Sequence, residues 1–189
     1  RRVIALCLNE AGRLPQFTWL SFGSEGRHEQ TLRTDQDNGI VFELDSGGSA
    51  EGVRRTLLPA ARRINEALAE CGFELCPGNI MASNPECCLS VDEWRQRFAQ
   101  WIEQGTPDHL LKASIFFDFR PLWGDPAPAE LLRDFVMEKV PKNPRFRRQM
   151  AANALRAEPP LGMIQDFALS GTGDRAGTID LKMTGTTPF

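Results

Sequence analysis

The 189-residue sequence predicts an α+β domain, a mixed β-sheet with helices packed on it. Two observations carry this. Three apolar runs of strand length, FTWLSF (17–22), GIVFEL (39–44) and SIFFDF (114–119), are spread along the chain. Between and after them lie longer segments, 51–70, 92–104 and 129–140, in which apolar residues recur every three or four positions. No internal repeat or low-complexity segment interrupts the alternation.

Residues 1–15 read as the end of an amphipathic helix, with Val3, Ile4, Leu6, Cys7 and Leu8 apolar, stopped near Gly12 and Pro15. Residues 17–22 are a strand running into the Gly23-Ser24 turn, Glu25 to Leu32 a short helix, and 38–44 the second strand. In 51–70, Val53, Leu57, Ala60, Ile64 and Leu68 line one helix face, and Cys71-Gly72 ends it. Pro59 should kink this helix or mark its true first turn. The segment 77–92 is rich in Pro, Asn, Ser and Gly and reads as loop. Asp92 is the expected N-cap of the next helix, whose apolar face is Trp94, Phe98, Trp101 and Ile102. Asp108 is expected to cap a short helix at 109–114, followed by a strand at 114–119. Leu131, Leu132, Phe135 and Val136 mark a helix over 129–140, broken by Pro141 and Pro144; a further helix follows at 145–156. Residues 167–170 and 177–183 flank a Gly-rich turn and read as a hairpin.

Bulk properties narrow the function classes. The net charge of −3, with 22 basic and 25 acidic residues well mixed, does not select nucleic acid or an anionic membrane as main partner. The basic run KNPRFRRQ (142–149) reads as a solvated helix face rather than an RNA contact. No apolar stretch approaches the ~20 residues that span a bilayer. Five cysteines, an odd number at irregular spacing with no secretion signal, point to reduced thiols in the cytoplasm. Cys71, Cys76, Cys87, Cys88 and His109 could supply zinc ligands on paper, but no Cys-x2-Cys pair is present, and free thiols are the better reading. Both ends look like cuts in a longer protein, and the alternating apolar residues Ile179, Leu181 and Met183 ask for a covering segment beyond the C-terminus.

The chemistry concentrates in residues 22–42, FGSEGRHEQTLRTDQDNGIVF. Asp35 and Asp37 stand two apart next to a strand, where i and i+2 side chains point to the same side and two carboxylates can share divalent cations. The alternative is turn chemistry, since Thr-Asp-Gln-Asp-Asn-Gly is rich in turn formers. The small Gly23-Ser24 turn lets backbone N–H groups approach a phosphate. A phosphate cradle beside a paired-Asp metal site is what nucleotidyl transfer needs. Arg27 and Arg33 flank the spacer and could clamp a triphosphate; pairing with Glu25 or Glu29 is the alternative. His28 and Lys182 read as surface residues. Asn79, Met81 and Asn84 sit in a loop, either lining a base pocket or packed as an Ω-type loop; the second is the better reading.

Gly-Ser, a short spacer and Asp-x-Asp resemble the signature of the polymerase β-like nucleotidyltransferase superfamily. The fuller string GSEGRHEQTLRTDQDN resembles the nucleotidyltransferase domain of protein-PII uridylyltransferases. It also resembles the signal-transduction nucleotidyltransferases that often carry CBS and cyclic-nucleotide-binding domains upstream. LCPGNIMASNPECCLSVDEW (75–94) and IFFDFRPLWGD (115–125) are similar to that second group, and the resemblance covers roughly 14–125. It implies a polymerase β-like fold over 16–140, with 1–15 the end of an upstream helix and 141–189 the start of a C-terminal region. It implies transfer of UMP or AMP from an NTP, UTP or ATP, to an acceptor hydroxyl, on a protein acceptor. It implies Mg2+ or Mn2+ held by Asp35, Asp37 and a third carboxylate, with Gly23, Ser24, Arg27 and Arg33 on the nucleotide. Asp118 is the candidate third acid and base, being an acid in an apolar run, where burial is costly. An edge-strand acid paired with Arg120 is the alternative. The alternative function is a nucleotide-sensing regulatory module with little or no turnover.

Overall fold

The computed structural model describes residues 1–30 and 34–155. Arg33, Lys182 and the expected hairpin over 167–183 lie outside the described residues. The chain divides into two units, Arg1–Arg147 and Arg148–Phe189. The sheet and the helices packed on it belong to the first; of the second, only the last part of one helix is described.

The order of elements is α1 (Arg2–Glu10), β1 (Thr18–Phe22), α2 (Gly23–Gly26), β2 (Asn38–Phe42), α3 (Ala50–Glu70), β3 (Cys88–Ser90), α4 (Val91–Gln104), α5 (Pro107–Phe116), β4 (Phe119–Trp123), α6 (Ala127–Lys139) and α7 (Pro144–Ala154). The four strands form one sheet in the order β3-β2-β1-β4. β1 pairs antiparallel with β2 and β4, while β2 and β3 run parallel, so the sheet is mixed.

β1 and β2 are buried along their whole length because both faces of the sheet are covered. Alternation sorts their side chains. Leu20, Phe22 and Val41 join Trp94, Phe98, Trp101, Phe116 and Leu132 on the face of α4, α5 and α6. Trp19, Ile40 and Phe42 join Ile4, Leu57, Ala61 and Ile64 on the face of α1 and α3. Gly39 lies opposite Leu20, and a Cβ there would meet the Phe22 ring and the Cys87 carbonyl at 2.8 Å. Its lack of a side chain lets Phe22 fill the first core.

The sequence-based boundaries need four corrections. Residues 114–116 are helix, not strand: α5 starts at Pro107, Thr106 accepts the His109 N–H at 3.2 Å as its cap in place of Asp108, and β4 begins only at Phe119. Ala113 and Phe116 are three apart on the buried face of α5, which a short apolar run cannot distinguish from a strand. Ser90, not Asp92, caps α4, through a reciprocal capping box with Glu93. Of the helix expected over 25–32, the described part (25–30) is helical only to Gly26, the end of α2, and His28 beyond it is left-handed (φ 62°). Pro59 lies in the interior of α3, which starts at Ala50, so it does not mark the helix's first turn.

Candidate active site

The Gly-Ser turn and the Asp-x-Asp pair meet at the C-terminal end of β1. Gly23 follows β1 directly with φ 53°, in the left-handed region that favours glycine, and turns the chain into α2. Ser21 pairs with Asn38, so Asp37 lies opposite Phe22, whose N–H donates to the Asp37 carbonyl at 2.9 Å. A Cβ on Gly23 would come 3.9 Å from Asp37 Oδ2, so the turn abuts this carboxylate. Asp35 extends the edge as a bridge to Glu74, and Gln36 N–H donates to the Glu74 carbonyl at 2.8 Å.

Two-residue alternation divides Asp35-Gln36-Asp37-Asn38 between two sides. The amides point to α3. There Asn65 Nδ2 donates to Gln36 Oε1 at 2.8 Å and to Asn38 Oδ1 at 2.9 Å. Gln36 Nε2 donates to the carbonyls of Asn65 and Phe73, both at 2.9 Å. Asn38 Oδ1 also accepts from Ala82 N–H at 2.8 Å, and Asn65 Oδ1 from Ser83 N–H at 3.1 Å. Gln36, Asn38 and Asn65 are all buried. This network fixes the backbone that carries the acids and pins the loop 73–84 against it. The loop is packed, with Cys76, Met81 and Ala82 buried.

The acids face the other way, and carboxylate oxygens of Asp35 and Asp37 lie within 4.8 Å of each other and of Cys76 Sγ. The Cys76 thiol donates to Asp37 Oδ1 at 3.3 Å. Burial pushes this thiol up, and the Asp37 charge adds to the effect. Glu25 on α2 is also pushed up by burial; Arg120 opposes the shift and Asp37 reinforces it. Two carboxylates that converge beside a glycine turn form an oxygen donor set that fits a divalent cation. Asp35 and Asp37 would hold it.

Asp118 stands on the far side of β1. Phe119 pairs with Phe22, so Asp118 and Asp37 sit on strands two apart, about 10 Å between backbones. Asp118 is not in the cluster with Asp35 and Asp37; its Oδ2 accepts from Arg27 Nη1 at 2.6 Å. Arg27 also donates to Glu29 at 2.7 Å, the pairing weighed against phosphate contact. Gly26 packs on the Asp118 carbonyl, where a Cβ would overlap, so α2 and Asp118 are held together. Arg120 supports α2 instead of pairing with Asp118, donating to the Glu25 carbonyl at 3.1 Å. Ser24 is the second residue of α2, and Arg27 is its C-cap.

A cavity of about 500 Å3 opens elsewhere, between α3 and α4, and none of these residues lines it. Its Arg54 is paired with Glu51 and Glu93, and its Arg97 with Glu86, so it offers phosphate little unpaired charge. The acid cluster is the better place for chemistry.

Residues 1–108 match the family described as putative nucleotidyltransferase DUF294. The chain belongs to this family. Residues 144–189 match a putative nucleotidyltransferase substrate binding domain. No curated protein matches the chain. The nucleotidyltransferase match covers Gly23, Ser24, Asp35, Asp37, Asn65 and Cys76; Asp118 falls between the two matched segments. The mixed sheet with packed helices agrees with the expected fold class. Among the described residues, no helix is long and apolar enough to cross a membrane.

Sequence reading overlooked Cys76 as a neighbour of the acids and the amides Gln36, Asn38 and Asn65 as their support. The alternation in Asp-Gln-Asp-Asn was the available signal for Gln36 and Asn38. Asn65, an amide on the buried face of α3, was a second.

Proposed function

We propose that this nucleotidyltransferase domain moves UMP or AMP from UTP or ATP to an acceptor hydroxyl on a protein, as part of a signalling pathway. The supporting observation is the convergence of Asp35 and Asp37 within 4.8 Å beside the Gly23-Ser24 turn, in a chain of this family. Mg2+ or Mn2+ bound there would neutralise phosphate charge as the acceptor oxygen bonds to the α-phosphorus and the bond to pyrophosphate breaks. Gly23 and Ser24 bind the phosphates from the turn, and Asp118 takes the proton from the acceptor hydroxyl. Arg27 and Arg33 hold the triphosphate.

Arg27 must change partners for this. Its pairs with Glu29 and Asp118 are exposed, with side-chain accessibilities of 32–46%, and such pairs are worth about 0–1 kcal/mol each. A triphosphate competes easily at that level. Drawing Arg27 to the phosphates also releases Asp118 to act as base.

The second reading, a nucleotide sensor with little turnover, has one observation in its favour: Asp118 is occupied by Arg27. Incubating the full-length protein with labelled UTP or ATP, Mg2+ and cell lysate separates the two. Transfer predicts label on a protein. NTP-dependent thermal stabilisation without label supports sensing and overturns transfer.

A further inference from the structure

Cys76 is the one residue of the acid cluster that nucleotidyl transfer does not use. Its Sγ shares the 4.8 Å cluster with carboxylate oxygens of Asp35 and Asp37. The residue is buried, and its position is set by the packed loop, with Asn79 N–H donating to the Cys76 carbonyl at 2.9 Å. Asp35 is exposed, which leaves a route from solvent. The donor set is therefore one sulfur and two carboxylates.

That set distinguishes cations. Mg2+ takes oxygen ligands, keeps several waters and has no use for sulfur. Zinc-like cations favour thiolate with carboxylate, at roughly 2.0–2.3 Å from the metal, which puts tetrahedral donors about 3.3–3.8 Å apart. Cys76 and Asp37 already stand 3.3 Å apart. Closing the remaining pairs from at most 4.8 Å takes about 1 Å of side-chain movement.

We propose that Asp35, Asp37 and Cys76 form a three-donor site for a thiophilic divalent cation, and that this cation competes with Mg2+ and so inhibits the transferase. The proposal rests on the reading that Asp35 and Asp37 hold the catalytic metal. Binding exchanges the thiol proton for the metal: the S–H bond gives way to an S–metal bond, and the proton passes to buffer. No oxidation is involved.

The probe is Cd2+, whose bond to thiolate has its own ultraviolet charge-transfer absorption. The 189-residue chain carries Cys7→Ser and Cys71→Ser, since Cys7 is half-buried and Cys71 exposed and either could bind Cd2+ alone. A band saturating near one equivalent is expected. Cys76→Ser should remove it, and Asp37→Asn should weaken Cd2+ binding roughly tenfold or more. In Cys76→Ser the melting-temperature gain from Mg2+ plus NTP should persist, while Cd2+ should no longer suppress it. A full-strength band in Cys76→Ser, or unchanged affinity in Asp37→Asn, overturns the three-donor site. Absence of any Mg2+–NTP gain, with the Cd2+ band still removed by Cys76→Ser and Cd2+ binding still weakened by Asp37→Asn, refutes the catalytic reading and leaves the cation site standing.

Discussion

Replacing Asn65 by alanine tests whether the acids depend on the amide network behind them. Asn65 is 1% exposed on α3, and its side chain makes three hydrogen bonds: to Gln36 Oε1, to Asn38 Oδ1 and from Ser83 N–H. After truncation, Gln36 Oε1 keeps only the 3.4 Å contact from Asn38 Nδ2. Asn38 Oδ1 keeps Ala82 N–H at 2.8 Å, but Ser83 N–H loses its partner. Two lost hydrogen bonds at about 0.5–1.5 kcal/mol each, plus about 1–2 kcal/mol for leaving the partly buried Ser83 N–H without its partner, total roughly 2–5 kcal/mol. At 2–4 °C per kcal/mol for a chain of this size, the melting temperature should fall by roughly 4–20 °C. With Gln36 held only through its Nε2 bonds to the Asn65 and Phe73 carbonyls and Asn38 only through Ala82 N–H and the weak contact to Gln36, the Asp pair is fixed less firmly, and the gain in melting temperature from Mg2+ plus NTP should shrink too. Thermal unfolding of wild type and variant, with and without Mg2+–NTP, measures both. A fall below about 2 °C, or an undiminished ligand gain, would refute the positioning argument.

Three further outcomes are expected. Asp35→Asn and Asp37→Asn should each abolish the stabilisation by Mg2+ or Mn2+ with NTP, because each removes a ligand charge; an unchanged shift in both contradicts the metal assignment. Asp118→Asn should leave nucleotide binding nearly intact but lower turnover by roughly 10²-fold or more, and full activity would remove Asp118 from the mechanism. Burial raises the Glu25 carboxyl above its usual range, so the folded state holds a proton that the unfolded state has released. That contribution to stability falls as pH rises through this window, and the penalty is complete above it. Glu25→Gln should therefore melt higher than wild type at pH 7 and no higher below the carboxylate range; a lower melting point at pH 7 contradicts this sign.

Much of the site could be read from sequence because local spacing encodes it. Gly23-Ser24 after an apolar strand and Asp35-x-Asp37 before another specify a turn and a same-side acid pair without long-range information. The buried face of α4 was equally legible, since Trp94, Phe98, Trp101 and Ile102 follow helical spacing and all four are buried. SIFFDF failed for a physical reason: its apolar residues serve two elements, Phe116 packing α5 and Phe119 opening β4, with the chain bending at Phe117-Asp118. The contacts Cys76–Asp37, Asn65–Gln36 and Arg27–Asp118 were beyond sequence reading, whereas Arg27–Glu29 was among the pairings it offered. Each crosses a long sequence separation, 39 residues for Cys76–Asp37 and 91 for Arg27–Asp118, that only the packing of helices and loops on the sheet closes.

The central claim is tested most directly by following each phosphate of the NTP. Full-length protein is incubated with acceptor-containing lysate, Mg2+ and NTP labelled on either the α- or the γ-phosphate, beside the Asp37→Asn variant. Nucleotidyl transfer predicts α-label on a protein, γ-label in pyrophosphate, and neither with Asp37→Asn. Label from the γ-phosphate on protein, or α-label transfer that survives Asp37→Asn, would contradict it.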